Sequence, residues 1–174
     1  MSTTEVALVR CSTYDEAEVL QAVRSGIDLL GGIEQFCSAE ERILLKPNVL
    51  AGDPPERAVS THPSVLKAVG QLVRDRGCTV LYGDSPGGGD AQPALAAAGL
   101  TAPAEELGLE LADFDRGRQI DGGLLIAEGV LAADGIVNLS KLKTHMVTRM
   151  TGAVKNLYGC IPGQTKRLYH LTHP

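Results

Sequence analysis

The sequence predicts an α/β fold: a mainly parallel sheet with helices on both faces, forming a single domain over residues 1–174. Three observations carry this. Short β-rich runs alternate with amphipathic stretches along the whole chain. Within those stretches, apolar residues recur at the three-to-four-residue spacing of one helix face. Polar and glycine-bearing segments follow the predicted strands, where parallel sheets collect their ligands. A length of 174 residues suits one domain, and 44% hydrophobic with 21% charged content marks it as globular rather than disordered.

Residues 5–10 (Glu-Val-Ala-Leu-Val-Arg) read as a first strand. Thr13 and Glu16 match a capping box, and Ala17, Leu20, Val23, Ile27 and Leu30 continue it as a helix that Gly31-Gly32 stops. Residues 42–46 form the next strand, ended by Pro47. Thr61-His62-Pro63 opens a second helix, with Thr61 as its cap and an early Pro, with Val65, Leu66, Val69, Leu72 and Val73 on its apolar face, and Gly77 ends it. A strand at 78–82 runs into the turn Gly83-Asp84-Ser85-Pro86-Gly87-Gly88-Gly89 and a helix over 90–98. A helical piece at 102–107, a short strand at 109–113 and a turn at Asp121-Gly122-Gly123 before Leu124 follow. Residues 136–139 are the last strand, and 146–158 a final helix with Met150, Val154 and Leu157 turned inward. Residues 51–57 read as an exposed loop.

Charge is unevenly distributed. Residues 135–174 hold six of the sixteen Lys and Arg and none of the twenty-one Asp and Glu. An acidic body therefore carries a basic end, and such a cluster folded into a cleft attracts an anion. Nucleic acid is disfavoured as a partner, because aromatics are only 3% of the chain and the net charge is −5. No apolar run reaches the roughly 20 residues of a membrane span, and no signal peptide is visible, so cytoplasmic residence is expected. Cys11, Cys37, Cys78 and Cys160 are widely spaced, with no Cys-x-x-Cys.

Three polar segments at predicted strand ends are the candidates for chemistry. They are Lys46-Pro47-Asn48, the glycine turn with Asp84, Ser85 and Gly87, and the run from Asn138 to His145 containing Lys141, Lys143 and Thr144. The glycine turn, between a strand and a helix, would offer amides to an anion, but Asp84 would repel phosphate and would instead orient a lysine or bind a metal. It matches neither the Walker pattern nor Gly-x-Gly-x-x-Gly. Lys141 and Lys143 alternate and would share a side, and Thr144 would cap the final helix, aligning Thr148, Thr151 and Lys155 on one face. Lys46, Lys141, Lys143 and Lys155 are expected to hold the anion, and Asn48, Asn138 and Asn156 to orient it. His145, made less basic by its lysine neighbours, would move a proton, with His62 as the other candidate. His170 and His173 lack a nearby acid or cysteine, so no metal-ligand set is predicted. Cys160 sits in a basic stretch that favours a thiolate, against the simpler reading as a buried core thiol.

With these segments in view, the chain resembles the family known as domain of unknown function 362. The resembling residues are Leu44-Leu45-Lys46-Pro47-Asn48, Thr61-His62-Pro63, Gly83-Asp84-Ser85-Pro86-Gly87 and Asn138-Leu139-Ser140-Lys141-Leu142-Lys143-Thr144-His145, continued by 148–163. The resemblance implies longer relatives, many with a ferredoxin-like module of two four-cysteine clusters. It implies a C-terminally incomplete domain here, with a sheet edge open to a further strand. Any iron–sulfur cofactor would sit in a module outside this chain. The expected function is an enzyme for a small carboxylate or phosphate, redox-linked through an electron-transfer partner. The alternative is a non-catalytic binding or assembly factor for such a system.

Overall fold

The structure is a computed structural model and describes residues 4–145, 149–163, 166 and 169. Four strands form a parallel sheet: β1 (Arg42–Pro47), β2 (Thr79–Tyr82), β3 (Glu110–Leu111) and β6 (Gly135–Leu139), in the order β3-β2-β1-β6. Leu44 stands opposite Leu81 on one side and Ile136 on the other. Strand alternation then divides the core. Ile43, Leu45, Val80 and Tyr82 face α1 (Glu16–Leu29) and α2 (Pro63–Asp75), whose Leu66, Val69 and Val73 fill that layer. The same layer takes Leu95 of α3 (Ala91–Ala97) and Ala104 of α4 (Thr101–Glu106). Leu44 and Leu81 point the other way, onto Phe114, Ala127 and Val130. That side is covered by α5 (Glu128–Leu131) and the antiparallel ribbon of β4 (Gly117–Gln119) with β5 (Leu125–Ala127). The expected fold class, a single α/β domain with helices on both faces, is what forms.

Three expectations are corrected. Residues 5–10 form no strand; Val6 and Leu8 are 86% and 95% exposed. Alternation alone cannot make a strand without a ladder partner, and among the described residues that segment has none. The capping box also gives way. Asp15 is the cap, its Oδ1 accepting from the amides of Ala17 and Glu18 at 3.0 and 3.1 Å, while the Thr13 hydroxyl donates to Glu18. Likewise His62, not Thr61, caps α2, and Thr61 instead bridges two loops.

The third correction reshapes the site. No long helix spans 146–158. The chain forms an antiparallel hairpin of β7 (Lys143–His145) and β8 (Arg149–Thr151), then α6 (Ala153–Asn156) and a 3-10 turn, Leu157–Cys160. Arg149 adopts φ 65°, and Gly152 is extended at φ −155°; neither conformation is helical. Met150, Val154 and Leu157 are consequently exposed rather than inward, and Thr144 lies mid-strand rather than at a cap. Thr148 lies outside the described residues.

The outer edge of β6 carries no strand among the described residues. An apolar groove runs beside it, lined by Ile27, Leu30, Phe36, Ile136 and Val137.

Replacing Asp15 with Ala should cost about 1 kcal/mol, as loss of an N-cap does. Thr13→Ala should cost no more than about 0.5 kcal/mol, the low end for an exposed hydrogen bond. Urea unfolding of the two variants measures this, and equal costs would return the cap to Thr13.

Candidate functional site

The site begins with a charge in the core. Lys46, on the face of β1 shared with Leu44, is fully buried, and its Nζ lies 2.5 Å from Oδ1 of Asp84. Asp84 is buried as well, and its Oδ2 accepts from the Val49 amide at 2.8 Å. Burial pushes the Asp84 carboxyl up, while Lys46, the Val49 amide and Lys166 pull it down. Gly159 closes over the pair; a Cβ there would overlap the Asp84 carboxylate and the Lys46 ammonium. Asp84 thus does orient a lysine, at the carboxyl ends of β1 and β2.

The glycine turn behaves differently from expectation. The Ser85 amide donates to Gly159 O at 3.3 Å and the Gly87 amide to Leu50 O at 2.7 Å. These two amides hold the turn to neighbouring loops instead of facing a ligand. Lys166 completes the clamp, donating to the Ser85 carbonyl, to Ser85 Oγ at 2.8 Å and to Pro86 O at 2.7 Å.

Against this clamp stands the hairpin. Lys143 is half-buried and donates to Val59 O at 2.6 Å; burial lowers its basicity, with Asp53 and Asp84 pulling the other way. Lys155 lies 4.5 Å from the centroid of the Tyr158 ring and is also lowered by burial. His145 is held below its ordinary value by burial first, then by Lys155 and Lys143. Thr151 is buried, and its hydroxyl has no hydrogen-bond partner among the described residues; Asn48 Oδ1 is in the same state.

These groups enclose a cavity of about 110 Å³. Asn48, Asp84, Ser85, Gly87, Lys143, His145, Thr151, Lys155 and Asn156 line it, so loops far apart in sequence meet there. Asn156 also braces the wall, donating to the carbonyls of Lys46 and Pro47 at 3.3 Å and to Asn138 Oδ1 at 2.7 Å. Asn138 in turn donates to Ala153 O at 2.8 Å. Tyr158, Gly159 and Lys166 line the cavity without having been singled out in sequence. The only available signal for Lys166 was its place in the acid-free tail.

Other candidates lie elsewhere. His62 stacks on Tyr14 at 3.9 Å, and Lys141 donates to Tyr14 Oη at 2.8 Å, so neither lines the cavity. Lys141 and Lys143 therefore part company. Thr144 is exposed on β7. Cys160 is buried, and burial is the largest effect raising its thiol, which opposes the thiolate reading. His170 and His173 lie outside the described residues. Among the described residues, no three His, Cys, Asp or Glu side chains are grouped to hold a metal ion.

The family model for Domain of unknown function (DUF362) matches residues 43–174, so the chain belongs to this family. It is 36% identical over 171 residues to a thylakoid-associated protein of Synechocystis, covering 95% of this chain. The chain spans about half, 53%, of that relative's length. No solved structure matches it.

Asp84→Asn, which leaves the Lys46 charge buried and unpaired, should cost about 3–5 kcal/mol. Gly159→Ala should cost about 1–3 kcal/mol or more through overpacking. Gly88→Ala, where an added Cβ meets nothing within 4 Å, serves as the near-neutral reference. Denaturant midpoints report all three, and a neutral Gly159→Ala would show that the pair is not packed as described.

Proposed function

We propose that this member of the family binds a small anion, a carboxylate or phosphate, in the cavity at the carboxyl ends of β1, β2 and β6, and that His145 exchanges a proton with it. One observation carries the reading. Lys143 and Lys155 flank His145 on a wall whose one lining carboxylate, Asp84, is already committed to Lys46. Positive charge in a partly desolvated concavity favours an anionic guest. In this reading Lys143 and Lys155 take the charge, and the Thr151 hydroxyl and Asn48 amide orient it. His145, neutral near pH 7, is the group able to take or give a proton.

A redox step would draw its electrons from an iron–sulfur partner or module. Cys11, Cys37, Cys78 and Cys160 supply no cluster-binding set among the described residues. The second reading, a binding or assembly factor, is favoured by the apolar rim of the hairpin, where Leu142 and Val154 are 76% and 86% exposed. Turnover of any small anion by the purified protein separates the two. The reading takes the chain to work in the cytoplasm. Recovery with membranes on cell fractionation would point instead to the association described for the Synechocystis protein.

Lys143→Ala and Lys155→Ala should each weaken anion binding roughly 10- to 100-fold, the size of a lost charged hydrogen bond. Lys141→Ala should leave it near wild type, because that side chain reaches Tyr14. Calorimetric titration decides, and unaltered affinity in both cavity variants would remove the site.

The pH dependence follows from the sign of the His145 shift. Its basicity lies below the ordinary 6.5, through burial and then Lys155 and Lys143. A bound anion raises it, so binding takes up a proton between the two values. Affinity for sulfate, which does not titrate in this range, should rise as pH falls through that window, by at most about tenfold per pH unit. His145→Gln should flatten the profile; an unchanged profile would exclude His145.

A further inference from the structure

The anion reading leaves the ligand class open, and the cavity carries more information. We infer that it is matched to a dianionic tetrahedral oxyanion, the phosphate group, in preference to a carboxylate; this rests on the anion-binding reading above.

Charge is the first argument. Lys143, Lys155 and Lys166 all line the cavity, with the Lys166 ammonium held by Ser85 and Pro86 and the Lys143 ammonium by Val59 O. Among the described residues Asp84 is the one lining carboxylate, and Lys46 behind it pairs with it at 2.5 Å. Both its oxygens are committed, one to Lys46 and one to the Val49 amide, so it presents little repulsion to an incoming anion. Asp53, the other carboxylate acting on Lys143, is itself paired with Arg57 at 2.7 Å. A dianion is attracted more strongly by this concentration of positive charge than a monoanion is, and the difference grows where the wall is desolvated. The lowering of Lys143 and Lys155 by burial agrees, since these cations stand in a site that does not yet solvate them.

Direction is the second argument. The polar groups come from separate elements: Asn48 follows β1, Lys143 lies on β7, Thr151 on β8 and Lys155 on α6. A carboxylate offers two oxygens in one plane. A phosphate group presents acceptor oxygens in three or more directions and suits donors arriving from different sides. The buried Thr151 hydroxyl, without a partner among the described residues, supplies one such donor. The buried Asn48 Oδ1, also without a partner there, can accept from the one P–OH of hydrogen phosphate, a donor that an ionised carboxylate and a dianionic phosphate ester both lack.

The test is calorimetric titration of the whole chain with inorganic phosphate, glycerol phosphate, malonate and acetate at one ionic strength and pH. Phosphate should bind at least tenfold tighter than malonate or acetate. Thr151→Val, near-isosteric, should weaken phosphate severalfold while its circular dichroism stays wild-type. Glycerol phosphate binding as tightly as phosphate would identify esters as the ligands; binding of phosphate alone would identify the free ion. Malonate matching phosphate would show that charge without tetrahedral shape suffices, and acetate matching it would remove the charge argument. Either overturns this inference while the anion site stands. Failure of all four ligands would overturn the anion-binding reading itself.

Discussion

The buried Lys46–Asp84 pair is the interaction around which the functional end of this molecule is organised. A lysine at the fifth position of a central strand, directly after two leucines, is an expensive choice, since an unpaired ammonium cannot remain in such a core. Asp84 meets that demand from the next strand's exit, and in doing so it fixes where the glycine turn begins. Its second oxygen takes the Val49 amide, so the loops after β1 and β2 share one carboxylate. Gly159 then has no room for a side chain, which brings the segment after α6 against the same point.

The remaining polar contacts extend this junction. Asn156 reads the carbonyls at the end of β1 and the amide of Asn138 on β6, tying α6 to two strands. Thr61 joins the Asn48 amide to Leu139 O, linking the exits of β1 and β6 from the opposite side. With these ties in place, the lysines of β7 and α6 face the cavity without carrying the fold.

The same end of the molecule presents apolar surface. Leu142, Met150 and Val154 are exposed where hairpin and α6 meet solvent, and the groove beside β6 is lined by side chains of core character. Contiguous exposed apolar surface of this kind is characteristic of interaction faces.

Much of this was legible in the residues. Period-two and period-three-to-four patterns located β1, β2, β6, α1 and α2, because their apolar faces bury against one another whatever the details. The absence of acids after residue 134 marked the cationic wall, and the order of strands and glycine turns placed Asp84 and Lys143 at one end of a parallel sheet. What local pattern could not decide was partnership. Residues 5–10 alternate like a strand yet find no ladder, Thr13 and Asp15 both can cap but one does, and the described part of 146–158, spaced like one helix, divides into β8, the short α6 and the start of a 3-10 turn. The roles of Gly159 and Lys166 were equally invisible, since each is defined by atoms about eighty residues away. The chain by itself determined β1, β2, β6, α1 and α2 and where charge accumulates, because those follow from neighbours in sequence. Only the tertiary structure decided which lysine is neutralised and which is left facing the cavity, because burial and pairing are set by neighbours in space.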